Sequence, residues 1–221
     1  MDLADININF AHYRRLRATL FARHNAITKA LPRPIFQQAA KSLGVLRGKT
    51  LTLGSEGEMQ ILFDYAIYSP RINGLNFVQR FLTTLPPTDD PDEQAVQTAM
   101  GKDRFSMFQA ERVLPGMGLE FRDLVRGDAL FVVDEGLSRT MHQGVAFGGR
   151  LIPFSNFWIV TGAGFPMSEE VVKTVQQIFL PTLKLTEGKL ADLSPAAHEE
   201  LATVVIGAAM RDGTTSQIEY R

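Results

Sequence analysis

The 221-residue sequence predicts an α+β fold: an N-terminal helical segment, then a five-stranded antiparallel meander or small open barrel, with C-terminal helices packing on it. Three observations carry this. Apolar residues recur at helical spacing as far as residue 103. Beyond Arg104, β-branched and aromatic runs are broken by turn signals every eight to twelve residues. Helical spacing behind N-cap residues returns after Pro166.

The first helix is expected over residues 5–31, where Phe10, Tyr13, Leu16, Leu20, Ile27 and Leu31 form one apolar stripe and Pro32 and Pro34 stop it. A second helix opens near Pro34, buries Ile35, Phe36, Ala39, Ala40 and Leu43, and ends at Gly44. Ser55 and Glu58 have capping-box spacing ahead of Met59, Leu62, Phe63, Ala66 and Ile67. A helix is expected from Gly74 to Leu85, ended by Pro86-Pro87, and another from Asp90-Pro91 to about Lys102.

Five strands follow: Phe105 to Leu114, Leu119 to Val125, Ala129 to Asp134, Val145 to Ile152 and Phe157 to Thr161. Gly148-Gly149 suggests a bulge or corner in the fourth. Residues 104–166 are expected to form one continuous antiparallel unit. Phe157 to Val160 is too apolar for a strand with one wetted face, so both faces should be covered and Trp158 mostly buried. Ser168 and Ser194 each open a closing helix, the first running to Pro181 and the last to Gly213, with residues 214–221 as a loose tail. The chain divides into a helical domain, 1–103, and a β-module with its closing helices, 104–221, or forms one integrated domain.

Hydrophobic residues make up 45% of the chain, enough for a packed core. Cysteine is absent, which removes disulfides, thiolate metal sites and a cysteine nucleophile and points to a reducing, cytoplasmic setting. No stretch approaches the roughly 18 apolar residues of a spanning helix, so no membrane is expected. The net charge of −1 conceals a split: residues 1–50 carry nine Lys/Arg against two Asp/Glu, while residues 51–100 carry two against seven. Such a split serves either nucleic acid or internal pairing of a basic with an acidic helix, and the second is the more economical reading.

Gly44 to Thr50 imitates a phosphate loop, but three residues rather than four separate its glycines and a helix precedes it. Arg126-Gly127-Asp128 reads as a turn. His12, His24, His142 and His198 include no pair at metal-ligand spacing, and neither metal nor cofactor is expected. His24 and His198 sit beside apolar stripes as boundary residues. Asp134, Glu135, Arg139 and His142 gather at one loop end, a weak candidate for hydrolase or transferase chemistry. Arg14, Arg15, Arg23 and Lys29 fall on the polar side of the first helix and are the candidates for phosphate contact. Trp158 is a candidate recognition residue, with core packing as the blander assignment.

Arg122-Asp123-Leu124, Gly127-Asp128, Val132-Val133-Asp134, Ser138, Gly144, Arg150 to Phe154, Phe157-Trp158 and Gly162 resemble a recurring β-rich module of uncharacterised bacterial proteins. Some of those proteins also carry a Cys-rich zinc motif like that at the C-terminus of the SecA translocation ATPase. The resemblance spans residues 105–167 and implies an architecture. Without cysteine, no zinc function transfers. The function expected is a non-enzymatic binding or adaptor role toward a protein partner, with nucleic-acid binding through the first helix and hydrolase or transferase chemistry at the 134–142 loop as alternatives.

Overall fold

A computed structural model describes residues 9–182 and 193–217. Helix α1 runs Phe10–Ala30, with Asn9 as its cap: the Asn9 side chain accepts from the backbone N–H of His12. Residues 5–8 of the expected helix lie outside the described residues. α2 (Arg33–Ser42) ends at Leu43-Gly44, and a short hairpin, β1 (Leu46–Arg47) and β2 (Thr50–Leu51), turns at Gly48, whose φ of +62° suits glycine. The false phosphate loop is this hairpin.

Ser55 caps α3 (Glu56–Tyr68), accepting from Glu58 N–H. The reciprocal half of the expected capping box does not form, because the Glu58 carboxylate accepts instead from Gly54 N–H and from Thr215 Oγ1. Nor does a helix begin at Gly74. Asn73 and Gly74 both have positive φ, the requirement of a tight hairpin turn, and they join β3 (Arg71–Ile72) to β4 (Leu75–Asn76). Helix α4 is therefore only Phe77–Leu82, and it opens with a complete capping box between Asn76 and Gln79. α5 (Pro91–Met100) is capped by Asp90 as expected.

The β-module contains β5 (Arg104–Leu114), β6 (Gly118–Asp123), β7 (Ala129–Val133), a single-turn α6 (Leu137–Thr140), β8 (Ala146–Pro153), β9 (Trp158–Val160) and β10 (Phe165–Met167). The order β8-β5-β6-β7-β9 returns to β8, so five strands close a barrel rather than an open sheet. All neighbours are antiparallel except β7 and β9, which are parallel at Val132 and Trp158. Parity demands this, since a ring of five strands cannot alternate direction all the way round. β10 is a sixth strand that the sequence reading missed. It extends β8 at Ala146 to Gly148, and Pro166 sits within it.

Residues alternate along the barrel strands. Phe108, Ala110, Leu119, Phe121, Leu130, Val132, Phe147, Leu151 and Val160 meet inside, while Phe131, Val133, Ile152, Phe157 and Ile159 face a layer made by α1, α3, α4 and α5. Both faces of β9 are covered, as expected, and Trp158 is partly buried, with most of its surface covered, packed against the barrel core. Gly148-Gly149 makes no bulge. The register of β8 on β5 is continuous, and the shift falls instead on β5 between Ala110 and Arg112. The glycines make room for rings: a Cβ at 148 would stand 2.4 Å from the Phe165 ring, and one at 149 would stand 2.9 Å from that of Phe147.

α7 (Glu169–Thr174), capped by Ser168, continues as a π-turn over Val175–Phe179 and a 3₁₀ turn over Leu180–Thr182. α8 (Pro195–Asp212) ends at Gly213 in the left-handed conformation. Leu201, Ala202, Val205, Ile206 and Ala209 bury it in a cluster with Tyr65, Phe105 and Phe165, so residues from both sides of position 103 share one core. Residues 214–217 are not a loose tail. They form a 3₁₀ turn whose Thr215 is fully buried against Glu58; residues 218–221 lie outside the described residues. No described helix is long and apolar enough to cross a membrane.

Candidate functional site

The basic side of α1 is tied to acidic groups of the same chain. Arg14 donates two hydrogen bonds to Glu135, at 3.0 and 2.6 Å. Arg15 meets Asp92 at 2.9 Å, Arg23 meets Glu93 at 2.5 Å, and His12 joins Asp92 at 3.1 Å. Lys29 is exposed. The charge split thus corresponds to α1 lying against the acidic first turn of α5. Arg15 and Arg14, by hydrogen bonding, hold the carboxyls of Asp92 and Glu135 respectively below their usual range.

The 134–142 loop is occupied with its own folding. Asp134 is buried and accepts from the backbone N–H groups of Gly136 and Leu137, while Ser138 accepts from Gly116 N–H and donates to the Glu135 carbonyl. Glu135 pairs with Arg14, and Arg139 and His142 are exposed. None of the four candidate side chains lines the rim pocket beside α7 or the small space beside Arg150.

Two buried polar networks escaped the sequence reading. In the first, Arg150 reaches outward from β8 with only 3% of its surface exposed. Its Nε donates to Asp64 at 2.8 Å, one terminal nitrogen donates to Asp103 and the other to Ser69. Its guanidinium also lies over Tyr68 at 4.5 Å, whose hydroxyl pairs with His24 at 2.6 Å. Burial raises the Asp103 carboxyl and pushes His24 down to about 4, so that imidazole is neutral at physiological pH.

The second network closes one barrel end. Asp123, fully buried, accepts from Ser106 Oγ at 2.6 Å, from the backbone N–H groups of Val125 and Arg126, and from the guanidiniums of Arg126 and Arg104. Arg104 also bonds Asp128 at 2.7 Å and lies 4.8 Å over the Trp158 ring. Arg126 reaches His198 Nε2 of α8 at 2.9 Å. An arginine inside an apolar strand, Gly149-Arg150-Leu151, was the available signal for the first network; the second had only turn-like residues to announce it.

The first network has no room for a substrate. The space beside Tyr68, Ser69, Arg71, Asp103, Arg150, His198 and Glu199 is about 10 Å³, the size of one water. The larger pocket, about 700 Å³, opens at the rim where β5 and β8 meet α7. Gln109, Gln143 and Gln176 line it together with Leu124, Met167 and Val172, the Gln109 amide donating to the Gly144 carbonyl at 3.2 Å, and Glu169 and Lys173, paired at 3.0 Å, are part of the same lining. Amide donors and acceptors over apolar carbon suit a hydrogen-bonding, uncharged ligand.

The model of one family, described as Family of unknown function (DUF7986), matches residues 8–188. No curated protein and no solved structure matches the chain.

Proposed function

We propose that this chain, which belongs to the DUF7986 family of unknown function, is a macromolecular binding or adaptor protein whose barrel rim takes an uncharged, extended segment of a protein partner. The observation that carries this reading is the rim pocket of about 700 Å³, whose lining combines three glutamines with Leu124, Met167 and Val172. An extended peptide presents alternating N–H and C=O groups with small side chains between them, which such a lining matches in both polarity and shape. A rigid closed barrel supports the rim, so little ordering entropy opposes binding.

The test is selection from a displayed random-peptide library, followed by affinity measurement against wild type and a Gln143→Glu, Gln176→Glu double variant. Both positions lie at the pocket and outside the buried core, so the variant folds. Selected peptides should bind the variant at least about tenfold more weakly, about 1.4 kcal/mol. Equal binding to both, or no enrichment over an unrelated protein, overturns the proposal. So does oligonucleotide binding that falls steeply with salt and is lost with Arg14→Ala and Arg15→Ala, or turnover abolished by changing Glu135 or His142.

A further inference from the structure

We propose that the first turn of α8 is an acid-released latch, held to the barrel by the hydrogen bond His198 accepts from Arg126 and freed when that imidazole takes up a proton. Arg126 is an obligate donor, so the 2.9 Å contact requires a lone pair on His198 Nε2. The donor itself cannot move aside, because its side chain is 5% exposed and anchored to the fully buried Asp123. Protonating His198 therefore sets two cations against each other at hydrogen-bond distance in a poorly solvated wedge.

No compensating anion waits nearby among the described residues. Arg126 from the β6–β7 turn, Arg104 from β5, Arg150 from β8 and Arg71 from β3 all oppose a positive charge on His198. Of the carboxylates around it, Asp123 already accepts five hydrogen bonds, Asp103 is taken by Arg150 and Asp128 by Arg104. Glu199, beside His198 on α8, is raised by burial and so neutralises early as pH falls. Tyr68 of α3 and Ser69 directly after it complete the wedge and carry no charge at these pH values. The partial positive charge at the helix N-terminus adds to the penalty. Burial first and Arg126 second push His198 down to about 4.

Release is confined to the helix start. From Leu201 onward α8 is held by Leu201, Ala202, Val205, Ile206 and Ala209, and Thr203 bonds the Tyr65 hydroxyl at 2.7 Å. Only the turn from Ser194 to Glu200 depends on the latch. With His198 at about 4 when docked and about 6.5 when free, the opening equilibrium rises about 70-fold between pH 7.5 and 4.5.

Hydrogen exchange read by mass spectrometry on the peptide covering residues 194–203 tests this, after correction for intrinsic exchange rates. Wild type should lose protection in this peptide by that factor as pH falls to 4.5, while β5 and β8 peptides stay protected. His198→Gln keeps an acceptor for Arg126 without a titrating group and should remain protected at both values. His198→Lys, permanently charged, should be open at pH 7.5, and Glu199→Gln should behave as wild type. Constant protection in wild type overturns the latch. So does acid loss that persists in His198→Gln, or that disappears in Glu199→Gln.

Discussion

Replacing Arg150 with methionine keeps most of the aliphatic stem in place and removes the charge that Asp64 and Asp103 share. The guanidinium makes three side-chain hydrogen bonds and covers the rings of Tyr68 and Phe105, all with about 3% of the residue exposed. Its loss strands two carboxylates in a site that water barely enters. Breaking a buried ion pair by deleting one partner costs about 3–5 kcal/mol, and for a chain of this size that is about 6–20 °C in Tm. Urea unfolding at pH 7.5, followed by Trp158 fluorescence, reads the loss directly. The deficit should shrink as pH falls, because Asp103, already raised by burial, then protonates in the folded state and removes one stranded charge. Adding Asp64→Asn and Asp103→Asn to Arg150→Met should recover more than half of it. A loss below about 1 kcal/mol, the worth of an exposed pair, would refute the reasoning, as would a triple variant no better than the single one.

Two further outcomes follow from the packing and the buried histidines. A Cβ at Gly164 would lie 1.9 Å from the Phe147 ring, so Gly164→Ala should lower thermal stability by about 1–3 kcal/mol, and Phe147→Leu in the same chain should restore part of it. His24 is held neutral at about 4 against about 6.5 unfolded, so its contribution is complete above pH 6.5 and is lost as pH falls toward 4. That amounts to about 3 kcal/mol, seen as a urea midpoint that declines over this window in wild type and declines less in His24→Gln.

Legibility in the sequence followed the range of the interaction. Asp90, Ser168 and Ser194 announced their helices because a cap bonds an N–H two or three residues away. Local signals were also passed over, among them Asn73-Gly74, a hairpin turn inside what reads as a continuous apolar stripe, and the Asn76–Gln79 capping box that follows it. The candidate site was less readable. Arg14, Arg15 and Arg23 were visible as a basic face, but their acidic partners lie 121, 77 and 70 residues away. The three glutamines of the rim pocket come from β5, the loop before β8 and the π-turn, and no spacing connects them.

By itself the sequence determined where most of the helices and the five barrel strands lie and which faces are apolar, because periodicity and capping are properties of a few successive residues. It also determined that a β-rich module follows the helical half. Tertiary structure alone decided that its strands are not a meander but a closed ring in which β8 lies beside β5, with one parallel pair imposed by five strands in a ring. It decided that Gly148 and Gly149 admit the rings of Phe165 and Phe147 rather than bend a strand. It decided, too, which charges are buried and with whom: Asp64 finds Arg150 across 86 residues and Glu58 finds Thr215 across 157. A buried charge takes its partner from whatever the fold brings within about 3 Å, and sequence separation places no limit on that.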